Sequence, residues 1–486
     1  MDERKPRMPV PSYHMRPISP TPDYEDQPDL DSSNNHPHAQ MPEPNFEPHN
    51  DSPPQPTSSI QNALYPMPVP ETPQQSENHN QQPQNPDKLF SISNHAHSNA
   101  SILASLLYYF TLFFVYLAIF VLVMLVRQHN LDYTPPNNEY LFFPDTSIIS
   151  DVAPPRINVT HFRADVAFRH LRFLSRVPHP WNSKENQLNL DYISTVLTQI
   201  QQLATENGVK MEVISQDPTA FTFIPKEGRW VPSVGDNPNS KSSYFIEGRN
   251  VLARIIGTSE DENNAILLSS HIDSVQVSPG ATDDGVNGAV MLEIARHIVF
   301  NRLKSTVVFN FNNGEEVGLF GALAFMHHPW SKTVKAFINI EGAGAGGPAM
   351  VFRASNYNLI NLYGKKQSDY VNKWHPHCNV FANDAFKLGL INSDTDYTVY
   401  AAYGIPGLDI AFYNRRSVYH TNRDSISEIP IGSVDQVGNT VLNALRSMSE
   451  DREFMKSPLG KTDSSSVYYD VLGGFVVTHT FSVLYI

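Results

Sequence analysis

Residues 265–274 read AILLSSHIDS and contain the clearest local signal of the fold. The first six residues are apolar or small, which predicts a buried strand of a parallel sheet. His271 follows directly, at the carboxyl end of that strand. In open α/β sheets this end faces the crevice where ligands bind. The stretch therefore predicts a strand that carries an imidazole into a ligand site.

Two later stretches repeat this arrangement with carboxylates. Residues 305–311 predict a second strand, and Glu315 and Glu316 follow just past its end. Residues 336–340 predict a third strand that ends at Glu341. Adjacent residues of an extended chain point in opposite directions, which suits a glutamate pair with divided roles. One carboxylate would face a metal and the other an attacking water.

Helical patterns separate these strands. Apolar spacing predicts helices at 162–175, 188–204, 288–302 and from 322 onward, and further strands at 211–214, 244–246 and 250–256. Alternating strands and helices predict an α/β domain whose mostly parallel sheet is covered on both faces. About 300 residues are enough to bury one large core.

The chemistry lies in the order of six groups along the chain. A two-metal zinc site needs about five protein ligands when one carboxylate bridges the ions. The chain supplies five candidate ligands and one spare carboxylate: His271, Asp283, Glu315, Glu316, Glu341 and His420. Each motif taken alone has an ordinary explanation: the His–Asp motif as a hydrogen-bonded surface pair, and the two glutamates as solvated side chains. The occurrence of all six groups in this order favours a metal site.

This order resembles the M28 family of zinc-dependent exopeptidases. Five motifs are similar to those of the membrane-bound branch of the family: SSHIDS at 269–274, GATDDG at 280–285, FNNGEE at 311–316, NIEGAGAGG at 339–347 and YHTNRDSI at 419–426. That branch includes fungal vacuolar membrane proteases and endoplasmic reticulum metallopeptidases. The resemblance covers roughly residues 160 to 450 and implies a three-layer αβα sandwich.

The resemblance also implies roles. His271, Asp283 and Glu341 would hold one zinc, and Asp283, Glu316 and His420 the other, so that Asp283 bridges. Glu315 would be the general base in hydrolysis of a peptide bond at a free amino terminus. Tyr419 is a candidate donor to the oxyanion, and a packing role is equally open to it. Asp273 is a candidate to orient the His271 ring through its carboxylate.

Two other classes remain open. A glutaminyl-cyclase-like acyltransferase would use a single zinc, and Glu341 stands where many soluble peptidases carry Asp. A receptor-like domain would have lost its ligands, whereas His271 and Asp283 are both present.

Cys378 lies in a His-Pro-His-Cys segment, but it is the only cysteine of the chain. A loop or packing role is therefore expected for it rather than a soft-metal site.

Residues 1–100 predict a disordered tail. They contain 20 of the 38 prolines and carry 5 basic and 13 acidic residues, a net −8 of the chain's −14. Such a segment buries too little apolar surface to offset its ordering entropy. Its acidity argues against a nucleic-acid partner.

The next segment, 101–127, predicts a transmembrane helix, because residues 102–126 contain no charge. At about 1.5 Å per residue this run exceeds a bilayer core of roughly 30 Å. A buried soluble helix is the alternative, and the run lies too far from the start for a signal peptide. Lys88 and Arg127 nearly balance, so the positive-inside rule gives no orientation.

The resemblance implies a cytosolic tail and a lumenal peptidase domain at 155–455. The expected membrane is the vacuolar one, with the endoplasmic reticulum as the alternative. The sequon at Asn158 fits a lumenal domain, and one cysteine excludes an intramolecular disulfide. Residues 456–486 begin an apolar segment that is expected either to start a membrane region, cut short here, or to pack on the domain.

Overall fold

The computed structural model describes residues 91–129, 131, 161–223, 244–366, 374–388, 390–391, 393–458 and 466–480. Most of the predicted tail and the sequon at Asn158 lie outside these residues. Helix α1, Ser91–His129, contains the apolar stretch Ser101–Val126. Nothing in the described residues buries that stretch. By length and composition it is able to cross a membrane.

The remaining helices and strands include the predicted elements and several that were not predicted. The helices are α2 Ala164–Leu174, α3 Lys184–Glu206, α4 Val286–Phe300, α5 Phe320–His327, α6 Tyr357–Tyr363, α7 Val380–Lys387, α8 Asp396–Ala402, α9 Ile431–Glu450 and α10 Arg452–Lys456. Short 3₁₀ helices occupy Pro329–Thr333, Arg416–Val418 and Ile426–Glu428. The strands are β1 Met211–Ile214, β2 Ala220–Phe223, β3 Tyr244–Glu247, β4 Val251–Ile255, β5 Ala265–His271, β6 Thr306–Asn312, β7 Val334–Gly342, β8 Ala349–Ala354, β9 Gly407–Phe412, β10 Ser466–Val471 and β11 Phe475–Thr480.

A seven-stranded sheet with the order β1-β4-β6-β5-β7-β9-β8 forms the centre of the domain. Strands β6, β5, β7 and β9 run parallel, while β4 and β8 are antiparallel to their inner neighbours. The predicted mostly parallel sheet is confirmed. Because β5, β6 and β7 run parallel, their carboxyl ends meet at one edge of the sheet.

Helices cover both faces of this sheet and enclose two apolar cores. Ile266 and Leu268 of β5 belong to the core under α2, α3, α4 and α9. Leu267, between them, belongs to the core under α5 and α8 on the opposite face. Successive strand residues point to opposite faces, so a strand buried on both sides reads as one continuous apolar run. The domain is therefore the predicted three-layer αβα sandwich.

The hairpin of β10 and β11 packs beside α6 and α7. The backbone N–H of Cys378 donates to Asp470 Oδ1 at 2.9 Å, and the hydroxyl of Tyr468 donates to the Phe352 carbonyl at 3.4 Å. Residues 466–480 of the predicted C-terminal segment thus pack on the domain. Cys378 is 1% exposed and packs in the core.

Candidate metal centre

The candidate centre lies where three parallel strands end. His271 is the last residue of β5, and Glu341 is the second-last residue of β7. Glu315 and Glu316 lie in the turn that follows β6. Strand register brings these ends together, since His271 pairs with Asn312 and Ser269 pairs with Asn339.

Two groups of three side chains converge there. The ligand atoms of His271, Asp283 and Glu341 all lie within 4.8 Å of one another, and so do those of Asp283, Glu316 and His420. Asp283 belongs to both groups. Its Oδ1 lies 3.1 Å from His271 Nε2, and its Oδ2 lies 3.0 Å from His420 Nε2. Each oxygen of this carboxylate therefore faces a different imidazole.

The two groups differ in depth. The His271 side chain is 1% exposed, and Glu341 Oε2 lies 3.3 Å from its Nε2. The His420 side chain is 38% exposed, and Glu316 Oε2 lies 3.2 Å from its Nε2. We call the first group, His271, Asp283 and Glu341, the inner group. The second group, Asp283, Glu316 and His420, opens toward solvent and is the mouth group.

Asp273 orients both His271 and the glutamate pair. The His271 Nδ1–H donates to the backbone carbonyl of Asp273 at 2.9 Å, which leaves Nε2 facing Asp283 and Glu341. The Asp273 carboxylate lies 3.7 Å from Nδ1, within ion-pair distance of the ring. The same carboxylate also accepts the backbone N–H groups of residues 314, 315 and 316 at 2.7, 3.1 and 3.2 Å. Asp273 thereby fixes the loop that carries both glutamates.

A second buried carboxylate holds the turn around Asp283. Asp424 accepts the backbone N–H groups of Thr282 at 2.9 Å and Asp283 at 3.1 Å. Burial raises the pKa of Asp424 to about 6. A Cβ atom at Gly342 would clash with the Thr282 carbonyl oxygen, so glycine lets this turn approach the end of β7. The sequence marks Asp424 only by its position after His420 and gives no signal of this contact.

Asp284 points away from both groups. Its Oδ2 accepts the Ser270 hydroxyl at 2.6 Å and the His271 backbone N–H at 3.2 Å. Its Oδ1 accepts an N–H of Asn287 at 2.5 Å. The peptide bond between Asp283 and Asp284 is cis. Neighbouring aspartates in one turn thus have different environments.

The pKa values of the ligand groups show that closely packed carboxylates favour positive charge at the centre. Burial lowers the pKa of His271, but the charges of Glu341 and Asp283 outweigh burial and hold the pKa well above its usual value. Burial also lowers the pKa of His420, and hydrogen bonds with Asp283 and Glu316 raise it to about 10. For Glu316, burial and the charge of Asp283 raise the pKa to about 7. Carboxylates packed this closely repel one another unless cations lie between them.

The donor set fits zinc. Two imidazole nitrogens and several carboxylate oxygens are ligands that zinc accepts in proteins. Glu316 Oε1 is buried and has no hydrogen-bond partner among the described residues, as expected of an oxygen that faces an ion. The Nε2 atoms of His271 and His420 face the carboxylates of their groups, and these are the atoms that a metal would use.

The two predicted catalytic residues lie beside these groups without joining them. Burial raises the pKa of Glu315 well above its usual value; the charge of His271 opposes this shift and that of Glu341 adds to it. The Tyr419 ring stacks on the His420 ring with centroids 3.7 Å apart. Burial raises the pKa of Tyr419 far above neutrality, so its hydroxyl keeps its proton.

One buried acidic residue near the centre is not predictable from the sequence. Asp396, the first residue of α8, is 0% exposed and accepts an N–H of Asn312 at 2.6 Å. Burial, and next the charge of Glu341, raise its pKa to about 8. In the sequence, Thr395 and Asp396 indicate only a helix start, because nothing local shows which strand the helix covers.

Comparisons with known proteins place this centre in a family. The sequence model of peptidase family M28 matches residues 250–445, a range that contains all seven predicted site residues. A vacuolar membrane protease of Yarrowia lipolytica is 39% identical over 316 residues, which cover 64% of this chain and 30% of the relative. One from Schizosaccharomyces pombe is 37% identical over 313 residues, covering 64% of this chain and 34% of the relative. The chain thus spans about a third of the length of these relatives.

Solved structures with a related arrangement include an aminopeptidase from Aneurinibacillus, 16% identical with a TM-score of 0.44, covering 60% of this chain and 95% of that one. A glutaminyl cyclase from an Acidobacteriales bacterium is also 16% identical, with a TM-score of 0.42, covering 61% and 98%. The likeness in sequence is more informative. Residues 250–445 match the model of peptidase family M28, and the chain is similar to fungal vacuolar membrane proteases at 37–39% identity.

Proposed function

We propose that the domain is a zinc-dependent exopeptidase of the aminopeptidase type that uses two zinc ions. The shared carboxylate of Asp283 carries this proposal, because each of its oxygens faces one histidine. A carboxylate in this position is suited to bridge two cations at a separation of about 3.5–4 Å. The match of residues 250–445 to a peptidase family supports hydrolysis as the reaction.

The inner group would hold one ion and the mouth group the other. When bound, zinc at such a site activates water and polarises a carbonyl group. Asp273 and Asp424 would keep the ligands in place, because they fix the backbone on either side of the centre. Outer contacts of this kind orient ligands and raise metal affinity.

Glu315 would act as the general base. It shares the Asp273-bound loop with Glu316 but belongs to neither ligand group, so its carboxylate is free to take a proton. It would then pass that proton to the leaving amine. Tyr419 keeps its phenolic proton and lies against His420, where it would donate a hydrogen bond to the developing oxyanion.

The depth of the site supports cleavage at a chain end. The inner group is closed by the buried ends of β5 and β7, while the mouth group opens to solvent. A peptide would therefore insert one end and leave the rest outside.

We further propose that the chain is anchored in the vacuolar membrane with the peptidase domain in the lumen. The apolar stretch Ser101–Val126 and the names of the fungal relatives support this location. Peptides would be its substrates and the bilayer its anchor.

Metal analysis of the full chain in detergent tests the reaction class, together with hydrolysis of a leucine-initiated peptide. Two zinc ions per chain and cleavage only when the amino group is free are expected. The matched control is the same peptide with its amino group acetylated. One zinc with cyclisation of amino-terminal glutamine would favour the acyltransferase, and a protein without zinc or activity would favour the receptor-like class.

A further inference from the structure

Arg416 occupies the solvent side of the mouth group. It lies in the loop between β9 and α9 and is exposed. Its guanidinium carbon lies 5.2 Å from the centroid of the Tyr419 ring, which in turn stacks on His420. One of its N–H groups donates to the carbonyl of Ala343, two residues beyond Glu341, at 3.3 Å. The side chain therefore spans the rim between the end of β7 and the tyrosine.

The charge of Arg416 is not neutralised by an acidic partner. Neighbouring Arg415 forms an ion pair with Glu428, whereas no carboxylate in the described part of the chain lies within 4.0 Å of Arg416. A guanidinium has five N–H donors in a planar fork, and one bond to the described residues uses them in Arg416. Such a fork matches the two oxygens of a carboxylate.

The position of this guanidinium relates it to one part of a substrate. If the amino-terminal residue enters the inner group, the remainder of the peptide leaves through the mouth, past His420 and Tyr419. Arg416 lies over Tyr419 on that exit side. A cation therefore lies beside the mouth group.

We propose that Arg416 is a specificity-determining residue that binds a carboxylate on the part of the peptide that follows the scissile bond. This inference rests on the proposed aminopeptidase function. Two sources supply that carboxylate: an acidic side chain at the second residue, or the free carboxyl end of a dipeptide. Both place the negative charge within a few bonds of the leaving amine, where the exposed fork can reach it.

The test compares matched peptides with the full chain in detergent. Leu-Asp-Ala-amide against Leu-Asn-Ala-amide measures the side-chain source, and Leu-Ala against Leu-Ala-amide measures the terminal source. The wild type should favour the carboxylate member of at least one pair by about two- to fivefold in kcat/KM, the upper part of the range of an exposed ion pair. Arg416→Gln should abolish that preference, and Arg416→Glu should reverse it toward Leu-Lys-Ala-amide.

Arg423→Ala is the charge control, because it removes one positive charge from the same loop, where the guanidinium donates to the Ser417 carbonyl. It should leave the preference intact. Equal loss in Arg423→Ala and Arg416→Gln would overturn the inference in favour of a general charge effect. A wild type without preference in either pair would also overturn it. If no variant cleaves any peptide, the aminopeptidase function itself fails.

Discussion

The assignment of Asp283 as the shared ligand predicts a sharp difference between two neighbouring aspartates. Asp283→Asn removes the charge that faces both histidines and leaves a single oxygen to serve two sites. Affinity for both zinc ions should fall by at least about 100-fold, more than changes in outer contacts cause. His420→Ala should weaken only the mouth site and leave about one zinc per chain.

Asp284→Asn is the matched control, because it makes the same chemical change one residue away. Asp284 accepts the Ser270 hydroxyl and the His271 N–H, and both donors are buried. Replacing one carboxylate oxygen by an amide group should reduce the free energy of unfolding by about 1–3 kcal/mol. Both zinc ions should remain, with affinity lowered by no more than about 10- to 100-fold.

Zinc titration in chelator-buffered solution, followed by metal analysis, separates these outcomes, and thermal unfolding reports the stability of each variant. Loss of both zinc ions from Asp284→Asn with retention by Asp283→Asn would show that the ligand register is wrong by one residue. Retention of the inner zinc alone by Asp283→Asn would show that Asp283 does not bridge.

Three further outcomes are expected. Glu315→Gln should keep its zinc while turnover falls by roughly 10²–10⁴, since an amide cannot take the proton of water; loss of metal would exchange the roles of Glu315 and Glu316. Asp273→Asn should lower kcat by about 10- to 100-fold with zinc retained, because it loosens the loop bearing both glutamates; unchanged kcat would refute that positioning role. For topology, Asn158 should carry a glycan, and protease added to sealed vacuoles should remove only the first hundred residues; digestion of the peptidase domain would place it on the cytosolic side.

The strands that carry the site were predictable because their signals are local. Buried parallel strands read as short apolar runs, and β5, β6 and β7 lie within two residues of the predicted bounds. Because β5 and β7 are parallel neighbours in the sheet, His271 and Glu341 at their carboxyl ends lie close together whatever the conformation of the loops. Strands β8 and β9 were not predicted. Asp409 interrupts β9, and its buried partner Arg353, at 2.6 Å, lies on β8, 56 residues earlier in the chain.

The roles of outer residues were less predictable, because they depend on loop geometry. Asp273 stands two residues after His271, a spacing that suggests a contact between carboxylate and ring. In the structure the backbone carbonyl of Asp273 accepts from the ring, and its carboxylate, 3.7 Å from the ring nitrogen, also accepts N–H groups of the turn after β6. Gly314, with φ of +87°, lets that turn present consecutive N–H groups to one acceptor. Nothing in the sequence states which acceptor they meet.

The largest unpredicted feature is a buried polar row that crosses the sheet directly beneath the centre. Strand register aligns five polar side chains on neighbouring strands: Asn310, Ser269, Asn339, Asp409 and Arg353. Tyr400 of α8 covers one end, with its hydroxyl 2.8 Å from Ser269 Oγ. Buried polar groups cost free energy unless they are hydrogen-bonded. Each residue of the row makes at least one such bond, whereas Oδ1 of Asn310 and Oδ1 of Asn339 have no partner among the described residues. Ser269 and Asn339 lie two residues before His271 and Glu341, so all four side chains point to the same face. The row therefore ties the strands that bear the inner group to one another and to α8. In the sequence, each of these residues is only a polar residue within an apolar strand. The sequence does not show that they are neighbours, because that depends on the register between the strands.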